Sequence, residues 1–341
     1  MNTDYKNILV VNVNWVGDVI FSSPIFKALK VSYPQARISC LAPTRVKEIL
    51  ECIPGVDEII IYDEKGAHRG LLAKLRLIAR LKQEKFDVAF LLHRSLTRAL
   101  LVYLAGIAER VGYDTKGRGF LLTHRVGPLD LNVHRSDYYI NVIESFGIKV
   151  DDRICELQIH DGARNRVEQL LKNASITPHD KLIVLNAGGN WDLKRWPKEY
   201  FARLIDRLSE NQRFKIALAG ASADTGLAES ILKLAHARPI VLAGQTNLKE
   251  LGALCQRADF FISADTGPLH LANSVGASTI GLFGPTRPEI TGLRGKGKFV
   301  ILQNDVGCNR APCYNLGCPN NACMRSIDVE DVVRALEGIG N

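Results

Sequence analysis

The chain has 341 residues, of which 46% are hydrophobic and 23% are charged, a composition typical of a soluble globular protein. One hydrophobic core seldom serves more than about 250–300 residues, so two domains are expected. No apolar run reaches the roughly 18–20 residues that cross a bilayer, and the first residues, MNTDYKN, do not resemble a signal peptide. A cytoplasmic location is therefore expected.

The net charge of +8 is concentrated in the first half. Residues 1–150 contain 21 Lys and Arg against 15 Asp and Glu, whereas the remainder contains 23 against 21. Nine basic residues but only two acids lie within 65–98. Two interpretations stay open for this run, a solvated helix face or a surface that attracts an anionic acceptor or an anionic lipid leaflet.

The first half alternates strands and helices. Strands are predicted at 8–14, 37–41, 56–62 and 87–92, with helices at 19–33 and 70–85. The second half repeats the pattern, with strands at 181–186, 215–219, 240–243, 259–263 and 279–283 and helices at 198–210, 224–235, 248–257 and 269–275. Such alternation predicts an α/β protein with two doubly wound, Rossmann-like parallel sheets.

The predicted domains span residues 1–165, which would bind the acceptor, and 175–325, which would bind a nucleotide. A final segment, 326–341, contains a helix that is expected to pack back on the N-terminal domain. Ligands of open α/β sheets bind beyond the carboxyl ends of the strands, so the strand-to-helix loops are searched for chemistry.

The loop after the predicted strand 259–263 is the most informative. Asp265, Thr266 and Gly267 precede a helix that begins near Pro268, and His270 lies in its first turn. Unpaired N–H groups and the helix dipole suit a phosphate at such a position. The alternative is that Asp265 or Thr266 only caps the helix while His270 packs behind it.

The loop after the first strand, Asn14 to Asp18, is not a dinucleotide fingerprint. No GxGxxG stands at a strand end and no GxxxxGK[ST] occurs, which argues against an NAD enzyme and a P-loop NTPase. Asp18 either caps the following helix or serves as a carboxylate base, and the sequence does not decide between these roles.

Two further loops carry small residues at strand ends. One of them contains Gly188, Gly189 and Asn190, and its glycines let a ligand approach the backbone closely. Lys194 follows and supplies positive charge to such a ligand. Asp224 closes another small-residue turn and is either a helix cap or a partner for a ribose hydroxyl, the cap being preferred.

The chain has eight cysteines, and four of them recur every fifth residue in a tail rich in Asn, Pro and Gly. Cys308, Cys313, Cys318 and Cys323 could close a tetrahedral structural zinc site, although the spacing lacks paired CxxC motifs. Reduced cysteines that pack in the fold are the alternative interpretation.

Several motifs resemble glycosyltransferase family 9, the lipopolysaccharide heptosyltransferases of the GT-B class. The similar segments follow in chain order: NWVGD with the Ser22-Ser23-Pro24 after it, LKRWP, GASAD, SADTGPLHLANSVG and the Gly284-Pro285-Thr286 after it. WVGD together with KRWP is similar to the members that add the second heptose of the inner core.

This resemblance implies a GT-B fold, with two domains facing across a cleft, and inverting transfer of a heptose from ADP-heptose to a lipid A core acceptor. No cofactor or metal would take part in the chemistry. Asp18 would be the catalytic base, and Lys194 would contact the diphosphate. Asp265, Thr266 and Gly267 would form the loop that holds the diphosphate, with His270 near the donor.

The other donor-site candidates are Gly188, Gly189, Asn190 and Asp224. The basic run supplies acceptor candidates at Arg69, Arg94 and Arg98, with peripheral contact at the inner membrane face. One alternative is a GT-B transferase or epimerase that acts on a different sugar nucleotide. Another is a protein that binds nucleic acid or anionic lipid through the basic run. Nucleic-acid binding is not expected, because the sequence contains no recognisable nucleic-acid-binding module.

Overall fold

The structure is a computed structural model that describes residues 4–130, 132–189, 191–308, 311–313 and 318–340. The chain divides after Leu157 into two compact units. Among the described residues, no helix has both the length and the apolar character needed to span a bilayer.

The first unit contains a six-stranded sheet in the order β3-β2-β1-β4-β5-β6, in which every neighbouring pair is parallel. Its strands are β1 (Asn7–Val11), β2 (Arg37–Ala42), β3 (Glu58–Ile61), β4 (Val88–Leu91), β5 (Glu109–Tyr113) and β6 (His124–Val126). Its helices are α1 (Val16–Phe21), α2 (Ser23–Ser32), α3 (Lys47–Leu50), α4 (Leu71–Gln83), α5 (Leu96–Leu104) and α6 (Arg135–Glu144).

The second unit contains another six-stranded parallel sheet, in the order β12-β11-β10-β7-β8-β9. Its strands are β7 (Lys181–Asn186), β8 (Phe214–Ala219), β9 (Ile240–Val241), β10 (Phe260–Ala264), β11 (Ser278–Leu282) and β12 (Phe299–Leu302). Its helices are α7 (Asp161–Asn173), α8 (Lys198–Ser209), α9 (Thr225–Leu234), α10 (Leu248–Arg257), α11 (Gly267–Ser274), α12 (Pro288–Thr291), α13 (Ala322–Arg325) and α14 (Val329–Gly340).

Both sheets have the doubly wound order, in which the chain starts in the middle, proceeds to one edge and returns to the other side. In the first sheet the direction reverses between β1 and β4, and in the second it reverses between β7 and β10. Register pairs Ile8 with Val88 and Ile183 with Phe260, so these central strands end side by side. The predicted α/β fold class is confirmed, and each reversal is where such sheets bind ligands.

The central strands are buried on both faces because helices cover them. Ile8, Leu9, Val10 and Val11 are all inaccessible to solvent. A continuous apolar run of this kind is what a parallel strand between two helical layers requires.

The single helix predicted over 19–33 is two helices in the structure. The break falls at Ser22, whose hydroxyl bonds the Val19 carbonyl over 2.7 Å, and Pro24 stands in the first turn of α2. Proline cannot donate to the preceding turn and fits best at a helix start, so the chain begins a new helix there.

The apolar face of α14 packs within the second unit, and the expected contact of this helix with the N-terminal domain stays a prediction. Val329, Val332 and Leu336 join the buried core that contains Trp196 and Phe201. The indole Nε1 of Trp196 donates to the Ile327 carbonyl over 2.9 Å and fixes the start of the helix. The apolar face of α14 closes one side of the second sheet.

Candidate active site

Asp265 lies directly after β10, and three side chains converge on its buried carboxylate. Lys194 Nζ lies 2.9 Å from Oδ2, Thr291 Oγ1 donates to the same oxygen over 3.1 Å, and His270 Nε2 lies 3.0 Å from Oδ1. Lys194 Nζ also donates to the Asp265 backbone carbonyl over 3.1 Å. The structure thus brings Lys194, from the loop region after β7, to Asp265 and His270, which follow β10, and it adds Thr291.

The electrostatics of this cluster favour an ionised Asp265. Burial by itself would raise the pKa of Asp265, but the hydrogen bond from His270 and the positive charge of Lys194 outweigh it and hold that pKa well below its usual range. The ionised carboxylate links Lys194, His270 and Thr291 and so orders its own loop. Lys194 neutralises it, so a phosphate nearby would not meet an uncompensated negative charge.

The start of α11 lacks a side-chain cap. Thr266 occupies the N-cap position with extended backbone, but its side chain makes no capping hydrogen bond and lies 3.0 Å from the Ser263 hydroxyl. The carboxylate of Asp265 is held by the cluster described above. Neither Asp265 nor Thr266 gives this helix a side-chain capping hydrogen bond, so the N–H groups of its first turn have no side-chain acceptor from these two residues.

The glycine loop after β7 lies beside the same helix start. A Cβ atom on Gly189 would lie 3.4 Å from the Thr266 methyl group. A Cβ atom on Gly188 would lie 2.3 Å from Asp224 Oδ2, so only glycine fits against that carboxylate. Asp224 occupies the N-cap position of α9 but its side chain makes no capping hydrogen bond there; it accepts from the Ala221 N–H over 2.9 Å in the turn that precedes the helix. Asn190 lies outside the described residues.

Asp18 lies in the first turn of α1, in the first unit, and is partly exposed. The N-cap of that helix is Trp15, and no side-chain cap is formed, so Asp18 is not the cap that one interpretation proposed. Its Oδ1 accepts a hydrogen bond from the Tyr139 hydroxyl over 2.8 Å. Tyr139, on α6, was not identified from the sequence, because nothing in its local pattern indicates a partner so distant in the chain.

The pKa of Tyr139 is raised well above its usual value, first by burial and then by the charge of Asp18 and the hydrogen bond to it. The phenol therefore stays protonated and donates. The hydrogen bond from Tyr139 orients a carboxylate that is partly exposed, and both features suit a general base.

Arg98 lies behind the loop that precedes Asp18, and the structure gives it a different place from the predicted acceptor site. It is 2% exposed, and its guanidinium donates to the Asn12 carbonyl over 2.6 Å and to Asn14 Oδ1 over 2.5 Å. Burial and the charges of Arg98 and Arg118 lower the pKa of the adjacent His93 to about 3, so this imidazole is neutral. Arg98 holds the loop that leads to Asp18.

The other two acceptor candidates differ from Arg98 in exposure. Arg69 and Arg94 are both exposed, and the Arg94 guanidinium lies 5.8 Å from the centre of the Tyr138 ring. Tyr138 is the neighbour of Tyr139, so Arg94 lies near the helix that supports Asp18.

The four tail cysteines line a single cavity of about 430 Å³, which Gly284, Pro285 and Arg287 also border. In the part of the chain that the structure describes, no three His, Cys, Asp or Glu side chains are arranged to hold a metal ion. The cavity brings the thiols to one place without forming a ligand set.

Comparison with known proteins assigns the family. The sequence model of glycosyltransferase family 9 (heptosyltransferase) matches residues 74–322. The lipooligosaccharide heptosyltransferase 2 of Haemophilus influenzae is 28% identical over 302 residues, which cover 84% of this chain and 85% of that protein.

Two solved structures have a similar fold over nearly the whole length. One is the family 9 glycosyltransferase of Veillonella parvula, with a TM-score of 0.88, 24% identity and coverage of 99% of this chain and 98% of that one. The other is the ADP-heptose LPS heptosyltransferase II of Escherichia coli, with a TM-score of 0.81, 23% identity and 98% coverage of both chains. The family match over most of the chain, with the fold and the loop residues described above, shows that this protein is a glycosyltransferase that belongs to family 9, the heptosyltransferases.

Proposed function

We propose that the protein transfers a heptose from ADP-heptose to the inner core of a lipopolysaccharide acceptor, with inversion at the anomeric carbon. The main support for donor binding is the start of α11, which lacks a side-chain cap. Asp265 lies beside it, and its negative charge is balanced by Lys194, whose Nζ lies 2.9 Å from the carboxylate. As the bond to ADP breaks, the diphosphate gains negative charge, and main-chain N–H groups, the helix dipole and an ammonium stabilise it without a cation.

The donor site includes Thr266, Gly267, Gly188 and Gly189 in this proposal. The absence of a Cβ atom at Gly189 lets a ligand approach the backbone near Thr266. His270 is assigned to the same site through Asp265, which it contacts over 3.0 Å. Asn190 keeps the donor-binding role that the sequence predicts.

The catalytic base in this proposal is Asp18. The acceptor hydroxyl oxygen attacks the anomeric carbon, the bond from that carbon to the ADP oxygen breaks, and ADP leaves with the electron pair. The carboxylate of Asp18 takes the hydroxyl proton, and Tyr139 keeps it oriented. The exposed Arg69 and Arg94 are the proposed contacts to an anionic acceptor, whose lipid anchor places the enzyme at the inner membrane face.

The variant Asp18→Asn tests this proposal. Turnover should fall by about 100-fold or more, since general-base catalysis contributes on that order, while ADP binding by calorimetry should stay within about twofold. Asp161→Asn is the matched control, because Asp161 also lies in the first turn of a helix but is 86% exposed. Turnover of Asp18→Asn at the wild-type rate would exclude Asp18 as the base.

Product analysis tests the donor. The enzyme is incubated with ADP-heptose or with UDP-sugars, and mass spectrometry follows the acceptor. Heptose transfer from ADP-heptose is the expected result. Transfer or epimerisation with a UDP-sugar alone would replace the donor assignment while leaving the family intact.

The structural zinc at the tail cysteines also stays a prediction. Its support is that all four cysteines border one cavity. Elemental analysis of the purified protein should find about one metal ion per chain, and Cys313→Ser should remove it. A metal-free protein with unchanged stability would leave the packing interpretation of these cysteines.

A further inference from the structure

Helix α5 is apolar on both of its sides. Its inner side contributes Ala99, Leu101 and Val102 to the core of the first unit. Its outer side carries four apolar side chains that are between 42% and 50% exposed: Leu96, Leu100, Tyr103 and Leu104. These positions follow the spacing i, i+4, i+7 and i+8, which is one continuous stripe along a helix.

Helix α4, which contacts α5, has the same character at its start. Leu71, Leu72 and Leu75 are 73%, 72% and 50% exposed. Leu77 and Leu81 of the same helix are buried in the core that α5 also joins. We call the seven exposed side chains of the two helices the outer α4–α5 surface: Leu71, Leu72, Leu75, Leu96, Leu100, Tyr103 and Leu104.

The charges that accompany this surface are positive. The helices α4 and α5 contain no acidic residue, and α4 carries Lys74, Arg76, Arg80 and Lys82. On a helical wheel Lys82 falls between Leu71 and Leu75, and Arg76 falls next to Leu72. Both basic side chains are exposed. Exposed leucines together with Lys and Arg on the same helix are typical of helices that lie in a lipid headgroup region.

We propose that the outer α4–α5 surface docks the enzyme on an anionic phospholipid bilayer. The seven apolar side chains would enter the boundary between headgroups and acyl chains, while Arg76 and Lys82 would contact lipid phosphates. A protein partner fits less well, because lysine, which accompanies these leucines on α4, is depleted in the core of protein interfaces. The proposal rests on the proposed function in one respect, that the acceptor is anchored in a membrane.

The docking surface is connected to the proposed base through α5 itself. Arg98, on the inner side of this helix, holds the Asn12 carbonyl and the Asn14 side chain in the loop before Asp18. When the outer side of α5 is bound to a bilayer, the loop before Asp18 would therefore keep a constant position relative to the membrane. A lipid-anchored acceptor would then meet the base without the enzyme leaving the membrane.

Vesicle co-sedimentation of the full-length protein tests the docking. Binding is measured to vesicles of phosphatidylcholine alone and of phosphatidylcholine with phosphatidylglycerol. The triple variant Leu71→Ser, Leu72→Ser, Leu75→Ser and the triple variant Leu96→Ser, Leu100→Ser, Leu104→Ser should each bind at least about tenfold more weakly. The control is Val31→Ser with Leu234→Ser, two exposed apolar residues on other helices, which should bind as the wild type does.

The charges are tested with Arg76→Gln and Lys82→Gln. Each should weaken binding to the anionic vesicles about fivefold, since a basic group near such a surface contributes on that scale, with little change on neutral vesicles. Circular dichroism confirms that every variant is folded.

Activity measurements with a soluble acceptor and with a membrane-embedded acceptor separate the docking proposal from the proposed function. With a deacylated, water-soluble acceptor the leucine variants should turn over as the wild type does, whereas with an acceptor embedded in vesicles they should lose most of their rate. A wild-type enzyme that transfers heptose but does not bind anionic vesicles would overturn the docking and leave the function standing. Vesicle binding without heptose transfer would overturn the function instead. A concentration-dependent dimer that the leucine variants abolish would assign the surface to a second copy of the chain and also overturn the docking.

Discussion

The Tyr139 hydroxyl donates a hydrogen bond to Asp18 Oδ1 over 2.8 Å, across 121 positions of the sequence. One residue lies on α6 and the other in the first turn of α1, and the two helices pack together. Burial keeps the phenol protonated by raising its pKa, so the hydroxyl acts as a fixed donor. The contact orients the proposed base and stabilises its charged form.

Tyr139→Phe should move the acidic limb of the kcat profile to higher pH. A hydrogen bond to the carboxylate favours the ionised form, so its loss raises the pKa of the base and a higher pH is needed to deprotonate it. The rate at high pH should fall less than in Asp18→Asn, because the carboxylate remains. A pH–rate profile identical to that of the wild type would show that Tyr139 has only a packing role, and Tyr138→Phe is the adjacent control.

Arg98→Lys should lower kcat by about tenfold and leave the acceptor KM nearly unchanged. A lysine ammonium cannot reproduce the guanidinium fork that spans the Asn12 carbonyl and the Asn14 side chain, so the loop before Asp18 loses its support. Steady-state kinetics with the soluble acceptor make the measurement. A raised KM with unchanged kcat would instead return Arg98 to the acceptor-binding role that the sequence predicted. Arg94→Gln, at an exposed acceptor candidate, should raise KM.

Gly188→Ala should destabilise the protein by about 1–3 kcal/mol, because the added methyl group would overlap the Asp224 carboxylate. In an Asp224→Ala background the same substitution should cost much less, and a double-mutant cycle by urea unfolding measures the difference. Equal costs in the two backgrounds would contradict the overlap. Gly189→Ala meets its nearest atom at 3.4 Å, so it should fold normally and weaken ADP binding instead.

Asp265→Asn should lower the free energy of unfolding by about 3 kcal/mol, since the change breaks a buried charge pair. Because the folded pKa of Asp265 lies below its unfolded value of about 3.9, its contribution is complete above that pH and declines as the pH falls toward the folded value.

Urea unfolding between pH 6 and pH 2 should therefore show a shallower loss of stability in Asp265→Asn than in the wild type. The exposed Asp161→Asn serves as the control and should keep the wild-type slope. Parallel curves for Asp265→Asn and the wild type would mean that the carboxylate gains no stability from Lys194 and His270.

The sequence by itself determined the fold class and the loops that matter. Continuous apolar runs such as that of β1, alternating with helical segments, require parallel sheets covered on both faces, and this periodicity is a local property of the chain. Such a pattern did not identify β5 or β6, in which Glu109, Arg110, His124 and Arg125 interrupt the apolar run. It also did not show that Pro24 begins a second helix.

Only the tertiary structure decided which side chains meet. The pairing of Asp18 with Tyr139, the closure of Lys194, His270 and Thr291 on Asp265, and the burial of Arg98 depend on the order of strands and the packing of helices. Local propensity records how a residue suits a helix or a strand, but a contact between residues far apart in the chain is fixed by long-range packing. The exposure of the α4–α5 leucines was decided in the same way, because a helix with leucines on more than one side does not reveal in its sequence which side the core will use.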